Sequence, residues 1–119
     1  MRFIKCEDCD IIALVLKDGK VCAGEDMEII ANSTDGAGEK HVPAIKRDGD
    51  LLHVQVGEVE HPMTKEHHIA WIYVETKTGG MLRHLNVDDK PTATFNVANE
   101  EVTAVYEYCN LHGLWKVEL

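Results

Sequence analysis

A chain of 119 residues in which 21 Asp and Glu outnumber 12 Lys and Arg, for a net charge of −9, has no clustered basic patch with which to hold nucleic acid. Its length suits one domain of ordinary size, or one with a small appendage, burying roughly 60–70% of the unfolded surface and so building a core without disulfides. No apolar run approaches the roughly 20 residues that cross a bilayer, and Met1-Arg2-Phe3-Ile4-Lys5-Cys6 lacks the apolar stretch of a signal peptide, so the expected location is the cytoplasm, without membrane attachment.

In that compartment four cysteines read as metal ligands or free thiols rather than as a disulfide framework. Three of them lie in residues 1–30, which open with Cys6-Glu7-Asp8-Cys9, continue through an apolar run at 11–16, turn at Asp18-Gly19 and reach Cys22-Ala23-Gly24. Paired-thiolate knuckles on a short hairpin let very small modules hold iron or zinc, and a closed structural site takes four ligands. Here the second knuckle is incomplete, because the methyl of Ala23 ligates nothing. Three readings stand: a relic hairpin with free thiols, a three-thiolate site completed by Asp10, Glu7 or water, and a Cys6–Cys9 redox pair.

From Glu25 onward the pattern is all-β, with short runs between turn signals and no sustained 3.6-residue periodicity. A linker is expected at 32–38, where Ser, Thr, Asp and Gly cluster. After the turn Asp48-Gly49-Asp50, Leu52, Val54 and Val56 alternate with Leu51, His53 and Gln55. Residues 69–77 place Ile69, Trp71 and Tyr73 on one face and Ala70, Ile72 and Val74 on the other, which predicts a central strand. Turns at 78–80 and 88–91 bracket a strand at 81–87. A strand at 92–98 turns Ala93, Phe95 and Val97 inward, and strands at 102–108 and 114–119 close the chain. Five to seven strands at this spacing predict a β-sandwich with loops gathered at its ends.

Three loop segments carry the chemistry: Glu39-Lys40-His41-Val42-Pro43, His61-Pro62-Met63-Thr64-Lys65-Glu66-His67-His68-Ile69 and Cys109-Asn110-Leu111-His112-Gly113. Cys109 and His112, a soft thiolate and an imidazole three residues apart, can turn towards one metal ion. Pro62 disfavours a helix through the start of the second segment, and a helix would leave His61 and His67 roughly 120° apart around its axis, so they converge more easily from a loop. His67 and His68 are neighbours, of which an extended chain lets only one face the metal; spacing does not choose between them. His53, His68 and His84 read as surface or hydrogen-bonded residues. His41, His61, His67 and His112 sit at loop or strand ends, where a rigid scaffold carries its functional groups.

With all three segments in order from about residue 38 to the C-terminus, the sequence resembles the superoxide reductases, the family that includes desulfoferrodoxin and neelaredoxin. Residues 1–30 resemble the desulforedoxin-like domain of two-iron members, with Ala23 in place of the fourth cysteine. The resemblance implies a degenerate desulforedoxin-like domain at 1–30, without its iron, followed at 31–119 by an immunoglobulin-like β-sandwich. It implies one mononuclear non-haem iron with His41, His61, His67 and His112 as an equatorial square and Cys109 as axial ligand, which selects His67 over His68. Donor chemistry agrees, since four imidazoles and a thiolate exceed what structural zinc or blue copper takes. An axial thiolate donates electron density towards an oxygen ligand, and backbone N–H groups after Cys109 are expected to tune it.

The implied activity is one-electron reduction of superoxide to hydrogen peroxide without dismutation, with rubredoxin or a similar small carrier as electron donor. Lys40 is expected to attract the anion and organise the water that supplies protons. Glu39 is expected to bind the ferric ion after turnover. A homo-oligomer, dimer or tetramer, is usual in the family. The alternative is an iron or copper electron-transfer protein without substrate turnover, against which the Glu39-Lys40 pair argues. A metal-free interaction module is the third reading, since fold alone permits it.

Overall fold

The computed structural model describes the whole chain except residues 7, 9, 21–23, 32, 34 and 35. Cys9, Cys22 and Ala23 therefore lie outside the described residues, as does part of the expected 32–38 linker. The first described strands are β1 (Phe3–Cys6), β2 (Ile11–Leu14) and β3 (Glu25–Asp26), which form a small antiparallel sheet in the order β2-β1-β3. Cys6, at the end of β1, is disulfide-bonded, which corrects the expectation of a free thiol at that position.

Two larger sheets follow. The strands β4 (Ile29–Ala31), β7 (Ile69–Thr76), β8 (Gly80–His84), β10 (Val102–Cys109) and β11 (Gly113–Glu118) form one, in the order β4-β11-β10-β7-β8. The strands β5 (Pro43–Asp48), β6 (Leu51–Val56) and β9 (Thr92–Asn96) form the other, in the order β5-β6-β9. Leu52, Val54, Val56, Ala93, Phe95 and Val97 meet Ile69, Ile72, Val74, Val105 and Cys109 between the sheets. The period-2 pattern of β6 and β9 thus packs its apolar side against the five-stranded sheet, as the alternation predicts. The architecture is the expected all-β sandwich, with β7 central between β10 and β8.

Three features depart from the sequence reading. Strand β5 was not expected: it is an edge strand that begins with Pro43 and turns exposed in its second half, so it shows no apolar alternation. Glu39, Lys40 and His41 lie on a one-turn helix, α1 (Gly38–His41), rather than in a loop, and four residues are too few to leave a helical period. Among the described residues, the eight strands of the two large sheets also exceed the five to seven expected.

A β-bulge then redistributes the faces of β7. Across β10, Tyr108 pairs with Trp71 and Cys109 with Ile69, which leaves Ala70 as an extra residue on β7. The extra residue reverses the parity of the strand end. Ile69 joins Ile72 and Val74 in the inter-sheet core, and Ala70 joins the opposite cluster. In that opposite cluster, Phe3 of β1 packs on Trp71, Tyr73, Ala104, Tyr106 and Leu114, fastening the small sheet to the outer face of the five-stranded one. Its ring lies 5.4 Å from Trp71 and 5.3 Å from Tyr106, so stacking adds to the area buried.

Candidate metal centre

Three connections meet at one end of the sandwich. Helix α1 precedes β5 and ends in buried His41. The segment between β6 and β7 supplies His61 and His67, and is closed by Thr64, whose backbone N–H donates to the His67 carbonyl and whose hydroxyl oxygen accepts the His67 N–H. The tight β10–β11 connection supplies Cys109 and His112. It closes on the pair Cys109 and Gly113, where φ is +83°, a left-handed conformation that glycine adopts without a Cβ clash.

The donor atoms of His41, His61, His67, Cys109 and His112 all lie within 4.8 Å of one another. Going round the four rings, the His41–His61, His61–His67, His67–His112 and His112–His41 centroids are 4.8, 4.5, 4.9 and 4.9 Å apart, and each pair is steeply inclined. Across the square, His41 and His67 are 6.5 Å apart, the longer spacing of a diagonal. The Cys109 sulfur lies 3.6 Å from His61 Nε2 and 3.6 Å from His112 Nδ1. His68 turns aside, its Nδ1 3.0 Å from the Thr64 carbonyl, and His53 pairs through Nδ1 with the Thr94 hydroxyl.

Hydrogen bonding at the back of the rings determines what the front can do. His41 Nδ1–H donates to the Ala37 carbonyl at 2.8 Å, and His61 Nδ1–H donates to the Pro62 carbonyl at 2.7 Å. Each neutral ring then has only a lone pair at Nε2, yet these two nitrogens face each other at 3.3 Å. His67 Nε2 is buried without any partner among the described residues. Lone pairs converging in a buried space repel unless a cation sits among them. The residues therefore fit a metal ion, and the imidazole–thiolate donor set suits one iron.

Burial also holds the rings in the metal-binding form. Desolvation lowers His61 to about 4, and lowers His41 and His67 in the same direction, so these imidazoles are neutral at physiological pH. The Lys40 charge adds a smaller lowering to both His41 and His67. Glu39 and Lys40 themselves are exposed on α1. Desolvation pushes the Cys109 thiol up, while backbone N–H groups of Leu111 and His112 donate to the sulfur and favour the thiolate. A bound cation would decide that balance in favour of the thiolate.

Sequence reasoning missed several supports. Trp115 stacks on His41 at 4.6 Å, while its indole N–H donates to the His112 carbonyl, so one side chain braces the His41 ring and the backbone that carries His112. Glu107, two residues before Cys109 on the same strand, is fully buried with neither carboxylate oxygen partnered among the described residues, and desolvation raises it well above its usual range. Strand alternation from Val105 could have located Glu107 in the core. Nothing in the sequence marked the backbone carbonyls of Ala37 and Pro62 as partners of the rings.

Fold and site together define a class: a β-sandwich with a four-imidazole, one-thiolate candidate metal centre at one end. Residues 33–118 match the sequence model of the desulfoferrodoxin family. A desulfoferrodoxin of Syntrophotalea carbinolica is 43% identical, the match covering 99% of this chain and 96% of that one. A superoxide reductase of Pyrococcus horikoshii is 41% identical over 73% of this chain and 91% of its own length. Among solved structures, the superoxide reductase from Treponema pallidum superposes with a TM-score of 0.77 at 32% identity, covering 97% of this chain and 94% of that one. The chain belongs to the desulfoferrodoxin family.

Proposed function

We propose that this protein is a superoxide reductase that holds one iron per chain through His41, His61, His67, His112 and Cys109, with Glu39 and Lys40 serving the open side of the site. The observation that carries the reading is the convergence of five soft and borderline donors within 4.8 Å, with lone pairs facing one another and a buried nitrogen left unpaired. The similarity to proteins named superoxide reductase supplies the substrate.

The overall reaction joins one superoxide, one electron and two protons into one hydrogen peroxide. Iron, when bound, supplies the single electron. The chain's own residues do the rest. Ala37 and Pro62 carbonyls fix the tautomers of His41 and His61, and the N–H groups of Leu111 and His112 moderate the charge of the Cys109 sulfur. Lys40 draws the anion to a protein whose net charge of −9 repels it at a distance, and orders the water that delivers protons. Glu39, beside it on α1, would offer its carboxylate as a further oxygen donor to a bound ferric ion.

Rubredoxin or a similar small carrier returns the electron, and the protein acts in the cytoplasm as a dimer or tetramer. Residues 1–30 form a degenerate desulforedoxin-like unit without iron, and 31–119 the catalytic unit. No helix among the described residues is long and apolar enough to cross a membrane.

Stopped-flow mixing of the reduced, iron-loaded protein with superoxide tests the reading. Wild type is expected to consume superoxide with stoichiometric peroxide and no oxygen. Lys40→Ala is expected to slow capture about tenfold and to weaken its salt dependence, with iron content unchanged. Glu39→Ala leaves capture nearly intact and alters the resting ferric spectrum. Iron-loaded protein that transfers electrons but leaves superoxide untouched would instead be an electron carrier.

A further inference from the structure

His41 and His61 are each locked by an Nδ1–H bond to a carbonyl, but among the described residues no hydrogen bond orients the His67 ring. The position of that ring is therefore only as good as the position of its backbone. Thr64 closes the segment on itself, which shapes the loop without tying it to the rest of the centre.

The tie comes from Asn110, the residue after Cys109. Its backbone N–H donates to the His68 carbonyl at 3.1 Å. Its side-chain Oδ1 accepts the His68 N–H at 2.8 Å, and its Nδ2 donates to the Glu66 carbonyl at 3.0 Å. These bonds grip the peptide chain immediately before and after His67. The β7–β10 ladder ends at the pair Ile69 and Cys109, where β10 turns away to form the hairpin. The Asn110 carboxamide has the donor and acceptor of a peptide unit, so together with the Asn110 backbone N–H it extends the contact between the two segments beyond the last paired residues. Both partners are backbone groups with one possible role each, a C=O that accepts and an N–H that donates, and this sets the amide orientation. Aspartate cannot supply the Nδ2 donor and would oppose the Glu66 carbonyl with a like partial charge; serine is too short to reach both groups.

We propose that Asn110 is a positioning residue that holds His67 in register with Cys109, coupling the segment that carries one proposed imidazole ligand to the hairpin that carries the proposed thiolate ligand. It touches neither donor atom and acts through the backbone on either side of His67. The inference rests on the iron-site reading of the preceding section.

The test compares iron-loaded wild type with Asn110→Ala and Asn110→Asp, and with Thr103→Val as a control. Thr103 bonds to Glu75 on the sheet and has no part in the centre, so its loss lowers stability without moving the ligands. Three readouts are taken: iron release to a chelator, the thiolate-to-iron absorption band, and thermal unfolding. Asn110→Ala is expected to release iron at least about tenfold faster, in line with the roughly 10–100-fold that loss of a ligand's support costs, and to shift the band. Asn110→Asp, similar in shape, is expected to do the same in smaller degree and decides the matter if the alanine variant does not fold. Thr103→Val is expected to unfold at lower temperature with wild-type iron release and band.

Wild-type release and an unmoved band in both Asn110 variants would overturn the proposal. So would Thr103→Val releasing iron as fast as they do, since the effect would then be one of general stability. Wild type that binds no iron would overturn both this inference and the reading it rests on, whereas silent Asn110 variants of an iron-loaded wild type would leave that reading standing.

Discussion

The small N-terminal sheet and the histidine-bearing end of the sandwich are attached to the same five-stranded sheet by different kinds of force. In β1–β3, Phe3 is the only buried side chain among the described residues, and it docks by apolar contact with Trp71, Tyr73 and Tyr106. Among the described residues, an ion pair from the N-terminal ammonium to Glu75 and a hydrogen bond from Lys5 Nζ to the Tyr108 hydroxyl, both at 3.4 Å, add direction. Ile11 and Leu16 remain largely exposed. At the other end, position is set by hydrogen bonds from ring nitrogens and side-chain amides to named backbone atoms. Apolar docking tolerates small displacement because it scales with area, whereas a site built on directed bonds loses function when one atom moves by an ångström. The first arrangement suits attachment and the second suits holding an ion.

The largest expected effect on this contrast is at Cys109. Cys109→Ser replaces a thiolate by a hard, weakly donating hydroxyl, and is expected to reduce superoxide reduction more than loss of any one imidazole, beyond the roughly 10–100-fold cost of losing a ligand's support. Comparable turnover by an iron-loaded serine variant would remove the sulfur from the mechanism.

Gly57 tests whether directed placement is as unforgiving as claimed, from a position that contributes no donor. A Cβ there would lie 2.6 Å from the Glu39 carbonyl oxygen and 2.9 Å from the Lys40 carbonyl carbon, both backbone atoms of α1. Gly57→Ala must therefore shift the helix that carries Glu39, Lys40 and His41. Activity is expected to fall by about tenfold to a hundredfold while the sandwich still folds, measured by superoxide consumption together with circular dichroism.

A pH series probes the cost of burying imidazoles without metal. His61, at about 4 when folded, and His41 and His67, shifted in the same direction, bind fewer protons folded than unfolded near pH 5. Their contribution is present above the unfolded value of about 6.5 and is lost as pH falls through the folded values. Iron-free protein is therefore expected to lose stability between about pH 6.5 and 4, read from denaturant midpoints. His61→Phe should flatten that slope.

Phe3→Ala is expected to have the smallest effect on the centre. It should cost about 3–5 kcal/mol of stability, the usual loss for a buried phenylalanine, by releasing the N-terminal sheet. Superoxide reduction should stay within about twofold of wild type. A large loss of activity would show that the two ends are coupled through Trp71 and Tyr108, whose rings stack at 5.8 Å beside Cys109.

The chemistry of the site was written in the linear chain: a thiolate and four imidazoles near turn-forming residues, in three segments whose order identifies the family. Alternation in 51–56, 69–77 and 92–98 also revealed most of the sandwich, because a strand with one buried face must repeat every two residues. What the chain could not express locally was decided by packing. Spacing alone left His67 and His68 equivalent until His68 bonded to the Thr64 carbonyl. The bulge at Ala70 moved Ile69 to the inter-sheet face, against its place in the alternation. A one-turn helix and a polar edge strand were too short or too exposed to leave a period. The donors come from positions as far apart as 41 and 112, and only the closed sandwich brings them within 4.8 Å, because no local periodicity encodes a distance across the fold.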